Sequence, residues 1–158
     1  MTRAPGGGGA TPPYVAVVGA GGDDVAAAIL AVAEAVGAEL GRHGAVVVTG
    51  GLGGVMQAAC RGARSAGATT LGILPGDDRG AANPFVSVAV ATGMGELRNG
   101  LVVRSADALV AIAGGAGTLS EIALALKAGK RVVGLGSWQI PGVLVAADPV
   151  AAVTLALG

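Results

Sequence analysis

Glycine clusters recur along this chain at one kind of place, after a run of β-branched residues and before a longer alanine-rich run. The clusters span residues 19–22 (GAGG), 50–54 (GGLGG) and 114–118 (GGAGT). An apolar run, a glycine turn and an alanine-rich segment are the pattern of strand, loop and helix in a βαβ unit. The sequence therefore predicts an α/β protein built on a parallel sheet.

The same alternation sets the predicted elements. Strands are expected over residues 14–18, 45–49, 69–74, 86–91, 108–113 and 131–135, and helices over residues 24–42, 55–65, 96–104, 118–128 and 149–157. Short connections and right-handed crossovers would form a doubly wound, Rossmann-like parallel sheet flanked by helices, in a single domain. Residues 14–158 would make up that domain, and the polar, glycine-rich residues 1–13 a flexible tail. Residues 75–84 have nothing to bury and are expected to form a mobile surface loop, able to act as a lid.

The composition of the chain indicates which kinds of molecule and which compartment are expected for it. Hydrophobic residues make up 53% of the chain and charged residues only 13%, which suits strands that are covered on both faces. Lys plus Arg and Asp plus Glu both total 10, so no basic surface for nucleic acid is expected. The uncharged stretches 45–60 and 132–147 are short for a bilayer and broken by glycines or Pro141, so no membrane span is expected. The lone Cys60 and the absence of a signal-peptide pattern after Arg3 favour the cytoplasm.

The glycine clusters predict a ligand with a phosphate group. Without Cβ atoms a loop can approach an anion closely, and the helix that follows adds free amides and its dipole. The alternative that these glycines only make tight turns stays open. Asp24 stands where the third glycine of a dinucleotide fingerprint would fall, and no P-loop motif is present, so NAD or FAD binding by the usual route and P-loop hydrolysis are not expected.

Two charged residues carry an ambiguity. Thr118 and Glu121 have the spacing of a T-x-x-E capping box, in which the carboxylate only satisfies a helix-terminal amide. Arg98 has an equally simple alternative as a solvated helix residue that pairs with Glu96. The spacing of these residues alone does not give either Glu121 or Arg98 a catalytic role.

Residues 114–121 (GGAGTLSE), with Arg98 in residues 93–99 (GMGELRN), resemble the signature of the LOG ("lonely guy") superfamily. Residues 49–56 and 72–75 are similar to it as well. The resemblance implies a nucleoside 5′-monophosphate phosphoribohydrolase, which cleaves an N-glycosidic bond to release a base and ribose 5-phosphate. Arg98 and Glu121 would be its catalytic residues. The ligand-binding residues that it implies, together with the glycine clusters, are Gly19, Gly21, Gly50, Gly51, Gly53, Met94, Gly114, Gly115, Gly117 and Thr118.

The chain departs from the hydrolase pattern at three places. Ala113 stands where those enzymes have proline, Gly95 where they have histidine, and Asn99 where they have lysine. Residues 93–138 are more similar to the branch of the superfamily that contains the molybdenum cofactor carrier protein of algae. That resemblance implies the alternative function, a carrier or sensor that binds a phosphorylated pterin or nucleotide without hydrolysing it.

The remaining candidates receive smaller roles. His43 is expected to face solvent, Cys60 to be an inert core residue, and Asp23 and Asp24 to cap the first helix. The pair at positions 77 and 78, both aspartates, is expected to be solvated rather than to bind a divalent ion, and Trp138 would stack on a ring or fill a subunit contact. No metal site and no required cofactor are expected, with the molybdenum cofactor as a possible cargo. The alanine-rich helices and the resemblance favour a homodimer or a dimer of dimers.

Overall fold

All seven strands of the protein run parallel in one sheet, with five α-helices on its two faces, as a computed structural model of residues 10–158 shows. The strands are β1 (Tyr14–Gly19), β2 (Val46–Thr49), β3 (Thr70–Leu74), β4 (Val88–Ala91), β5 (Ala108–Ile112), β6 (Arg131–Leu135) and β7 (Val143–Val145). The helices are α1 (Ala27–Arg42), α2 (Val55–Ser65), α3 (Asn99–Ser105), α4 (Ala116–Lys127) and α5 (Pro149–Leu157), with short 3-10 helices at Arg79–Ala81 and Gly95–Arg98. The predicted Rossmann-like α/β fold is confirmed. Residues 1–9 of the expected tail lie outside the described residues.

The strand order places a crevice beside β1. The order is β4-β3-β2-β1-β5-β6-β7, so the chain steps away from β1 on one side as far as β4 and then resumes on the other side with β5. Gly19 at the end of β1 is paired with Ile112 at the end of β5. Because the order reverses between these two strands, their carboxyl ends flank the point at which doubly wound sheets bind ligands.

Alternating residues of the strands supply two separate cores. Along β1, Val15 and Val17 face the core beneath α1, α2 and α5, whereas Ala16 and Val18 face the core beneath α3 and α4. Burial on both faces explains why the strands are apolar throughout rather than in alternation. The sheet edge that carries the glycine clusters is thereby held by packing on both sides.

Several predicted boundaries were wrong. Helix α1 begins three residues later than expected. Its N-cap is Ala26, and no side chain accepts a hydrogen bond from the amides of the first turn. Asp23 and Asp24 therefore do not cap it. The predicted helix over residues 96–104 is divided into a 3-10 turn and α3. Strand β7 was missed, because three residues after Pro141 are too few to show a periodicity.

The polar segment 75–84 has one buried residue, contrary to the expectation that it buries nothing. Asn83 is only 8% exposed. Its backbone N–H donates to the Gly51 carbonyl at 2.9 Å, and its side-chain amide donates to the Leu52 carbonyl at 2.9 Å. The segment is therefore attached to the second glycine cluster. None of the helices between residues 10 and 158 is long and apolar enough to cross a membrane.

Candidate functional site

A cavity of about 220 Å³ lies beyond the carboxyl ends of β1, β2 and β5. Three glycine clusters and the turn before α3 meet there, because each follows a strand of the same parallel sheet. The cavity is lined by Val17, Val18, Gly19, Ala20, Gly21, Gly50, Met56, Arg98, Asn99, Gly115, Gly117, Thr118 and Glu121.

Eight of the twelve residues predicted for the site line this cavity, namely Gly19, Gly21, Gly50, Arg98, Gly115, Gly117, Thr118 and Glu121. The other four lie around it. Gly51 and Gly53 belong to the cluster after β2 but do not face the cavity, and Met94 is 44% exposed. Gly114 has a φ of +95°, and the Thr118 hydroxyl lies 2.2 Å from where a Cβ on Gly114 would stand. Gly114 therefore shapes the turn rather than the cavity wall.

The start of α4 leaves backbone donors free beside the cavity. The helix begins at Ala116 with Gly115 as its N-cap, and the first helical hydrogen bond runs from the Leu119 amide to the Gly115 carbonyl at 3.0 Å. Within residues 10–158, none of the amides of residues 114–118 donates to a protein group. A Cβ on Gly115 or Gly117 would meet no atom within 4 Å. Free amides under open space are the arrangement by which helix N-termini bind anions.

Glu121 faces this cavity and does not cap the helix. Because α4 starts at Ala116, Thr118 is the third helical residue and cannot be the N-cap of a capping box; that alternative is wrong. The Glu121 side chain is largely buried, and the residue is 8% exposed. Burial raises the pKa of Glu121 to about 7, although the charge of Arg98 acts in the opposite direction. Near neutral pH the carboxyl group is therefore present in both protonation states.

Arg98 also lines the cavity and is half-buried. Its guanidinium lies across Gly50, where a Cβ would stand 2.6 Å from Nη2 and 2.8 Å from the Met56 sulfur, so a larger residue there would displace both side chains. One Nη donates to the Asn99 side chain, and Nε is buried with no partner among the described residues. Burial lowers the pKa of Arg98, and Glu121 partly offsets this. No ion pair between Arg98 and Glu121 forms within the described part of the chain, so the guanidinium keeps donors for an oxyanion.

Sequence reasoning missed two polar or polarisable side chains of the wall. Asn99 had been noted only as a departure from the hydrolase pattern, yet its amide bridges Arg98 and the Ser120 hydroxyl, the latter at 3.4 Å. Met56 lies in the first turn of α2 and packs over Gly21 and Gly50. The signal that could have found Met56 is its position directly after the second glycine cluster, at a helix start on the same sheet edge.

The minor candidates lie away from the cavity. The exposed His43 contacts Glu39 at 3.2 Å, and Cys60 is buried, which raises the pKa of its thiol. Asp78 caps the short turn at Arg79–Ala81 through the Gly80 amide. Among residues 10–158, no three His, Cys, Asp or Glu side chains are grouped as metal ligands would be.

The fold and site define a Rossmann-like ligand-binding protein, with free amides and an arginine at the switch point of the sheet. The chain belongs to the SLOG cluster4 family, whose model matches residues 12–154. The molybdenum cofactor binding protein from the phototrophic bacterium Rippkaea orientalis is 34% identical with a TM-score of 0.85, over 92% of this chain and 95% of that one. The molybdenum cofactor carrier protein from Chlamydomonas reinhardtii is 37% identical with a TM-score of 0.82, over 91% and 95%.

A relative from Archaeoglobus fulgidus, an uncharacterized protein, is 47% identical over 104 residues, which are 66% of this chain and 68% of that protein. Together with the two solved structures, the family match confirms the resemblance to the LOG superfamily and to its branch with the molybdenum cofactor carrier proteins.

Proposed function

We propose that this protein binds the molybdenum cofactor, a pterin that bears a phosphate, and holds it without turnover. The phosphate would lie on the free amides at the start of α4, facing Arg98. The observation that carries this proposal is the open space above Gly115 and Gly117, next to amides that have no acceptor within the described residues. An anion there gains charge-assisted hydrogen bonds from both the backbone and the guanidinium.

Two kinds of relationship support a pterin cargo. The neighbours from Rippkaea orientalis and Chlamydomonas reinhardtii, whose names give molybdenum cofactor binding and carriage, match this chain over more than nine-tenths of either length. The departures from the hydrolase pattern support the same choice. Ala113 has a φ of +47°, which a proline ring fixed near −65° cannot adopt, so the turn into α4 is not the one that those enzymes build.

The direct test is to identify what the protein carries. Protein purified from cells that make the cofactor is denatured, and the released small molecules are identified by mass spectrometry. We expect a phosphorylated pterin in the wild type and a reduced amount in Arg98→Ala. Release of a nucleoside monophosphate instead, with no pterin, would reject the cargo while retaining the phosphate site.

A second candidate function, hydrolysis of a nucleoside 5′-monophosphate, is favoured by Glu121 alone. A buried carboxyl group with a pKa of about 7, in the same cavity as Arg98, is suited to activate a water molecule. The water oxygen would bond to C1′ of the ribose as the C1′–N bond breaks. The bonding pair would leave with the base, and the water proton would pass to Glu121.

Release of ribose 5-phosphate separates the two functions. Each common nucleoside 5′-monophosphate is incubated with the wild type and with Glu121→Gln, which keeps the shape but loses the carboxylate. Turnover by the wild type that is lost in the variant would establish the hydrolase and reject the carrier proposal. We expect no turnover by either protein, with phosphate binding retained in both.

We also propose that the chain forms a homodimer or a dimer of dimers. Leu97 is 72% exposed, and Leu101 and Leu124 are partly exposed beside it on the turn before α3, on α3 and on α4. Exposed apolar side chains grouped in this way are typical of subunit contacts. Size-exclusion chromatography with light scattering tests this, and a monomer at micromolar concentration would reject it.

A further inference from the structure

We propose that Ser137 and Trp138, which we call the loop clamp, position the backbone of residues 113–118 for phosphate binding. This inference rests on the proposed phosphate site but assigns the positioning to a segment outside it, since neither residue lines the cavity. Sequence reasoning gave Trp138 only a ring to stack on or a subunit to contact. The structure gives it a partner in the main chain.

The loop clamp binds two carbonyl groups of the turn into α4. The Ser137 hydroxyl donates to the Ala113 carbonyl at 2.7 Å, and the Trp138 indole N–H donates to the Gly115 carbonyl at 3.1 Å. Both residues lie in the turn after β6, just beyond Gly136, and β6 is the strand that pairs with β5. The turn after one strand is thus held by the turn after its neighbour.

Fixing these carbonyls also fixes the amides on the same peptide units. A trans peptide is planar, and its C=O and N–H point in opposite directions; none of the described peptide bonds is cis. The Ala113 carbonyl shares a peptide with the Gly114 amide, and the Gly115 carbonyl shares one with the Ala116 amide. With both carbonyls bonded to the loop clamp, the peptide units on either side of the Gly115 amide are fixed, and that amide, which borders the cavity, is held between them.

The turn needs such a restraint because Ala113 is held in an unfavourable conformation. Its φ of +47° places it in the left-handed region, and no other described residue except glycine has a positive φ. For alanine this conformation is disfavoured by contact between Cβ and the following carbonyl. The Ser137 bond to the Ala113 carbonyl and the Ala113 amide bond to the Leu135 carbonyl, at 3.1 Å, hold it there. Without the hydroxyl, Ala113 would relax and turn the next amide.

The first test measures inorganic phosphate binding by isothermal titration calorimetry. We expect Ser137→Ala and Trp138→Phe each to weaken binding about fivefold, the fold-change that one neutral hydrogen bond commonly represents. Ser137→Thr keeps the hydroxyl and should bind phosphate with the affinity of the wild type. Ser65→Ala is the matched control, since the Ser65 hydroxyl also donates to a backbone carbonyl at 2.7 Å, far from the cavity. Equal affinities in all these variants would overturn the loop clamp.

A double variant distinguishes positioning from general stability. Glycine adopts a positive φ without the alanine penalty, so adding Ala113→Gly to Ser137→Ala should recover most of the lost affinity. A loss that is unchanged by Ala113→Gly would overturn the proposed link between Ser137 and the strained residue. If the effects of the two substitutions simply add, positions 113 and 137 act independently.

Hydrogen exchange of the ligand-free protein tests the clamp without any ligand. The peptide covering residues 113–119 should exchange faster in Ser137→Ala and Trp138→Phe than in the wild type, and at the wild-type rate in Ser65→Ala. If the wild type fails to bind phosphate while the peptide still exchanges faster in the variants, the proposed function fails and the clamp stands. If exchange is unchanged, the clamp is rejected whatever the affinity.

Discussion

Gly117→Ala should separate the stability of helix α4 from its ability to bind phosphate. Gly117 is the second residue of α4 and lines the cavity, and a Cβ there would meet no protein atom within 4 Å. Alanine is favoured over glycine in helices by up to about 1 kcal/mol, so the variant should unfold at an equal or higher denaturant concentration. The methyl group would nevertheless occupy the space through which an anion reaches the amides.

The expected loss of affinity follows from the bonds at risk. A hydrogen bond to a charged group contributes about 1.5 to 3 kcal/mol. Displacing the phosphate from one amide should therefore weaken its binding by roughly 10- to 100-fold. Calorimetric titration with inorganic phosphate measures this loss, and urea unfolding measures the stability.

Gly100→Ala is the matched control for this change. Gly100 is the second residue of α3, and a Cβ there also meets no atom within 4 Å, but it does not line the cavity. It should gain stability in a similar way and bind phosphate as the wild type does. If Gly117→Ala bound phosphate with unchanged affinity, the reasoning that places the anion above that amide would be refuted.

Three further predictions concern other parts of the account. Because burial raises the folded-state pKa of Glu121 from 4.5 to about 7, its contribution to stability is present below pH 4.5 and lost as pH rises through 7. At 1.36 kcal/mol per pKa unit, Glu121→Gln should therefore be more stable than the wild type at pH 8, by at most about 3 kcal/mol; equal urea midpoints at pH 8 would contradict this. Ala113→Pro should destabilise the fold by roughly 2 to 3 kcal/mol, since proline cannot adopt a φ of +47° and lacks the N–H that bonds Leu135; an unchanged thermal midpoint would show that the turn is not strained. Leu97→Asp should shift an oligomer toward monomer in light scattering, whereas a mass that stays constant would place the subunit contact elsewhere.

Part of this molecule could be predicted from its sequence because the relevant signals are local. Glycine clusters after β-branched runs indicate strand ends, and one sheet edge collects them, which is why eight predicted residues meet in the cavity. The motif around Thr118 was misleading, since its capping-box spacing lies inside a helix that starts at Ala116. Where a helix starts depends on the turn before it, and that turn depends on Ala113.

The rest required contacts between residues far apart in the chain. Asn83 is buried by hydrogen bonds to the second glycine cluster, about thirty residues earlier. Ser137 and Trp138 reach the turn before α4 only because β5 and β6 are neighbours in the sheet. No periodicity or spacing in a single sequence expresses such pairings. Sequence reasoning therefore found the glycines and missed what holds them.

The most direct test of the central claim is to observe which amides respond to phosphate. Inorganic phosphate is titrated into ¹⁵N-labelled protein, and the backbone amide signals are followed by two-dimensional NMR. The account predicts that the largest saturable shifts occur at Gly115, Gly117 and Thr118, where free amides border the cavity. Saturable shifts confined to other residues, or no saturable shift at millimolar phosphate, would contradict it.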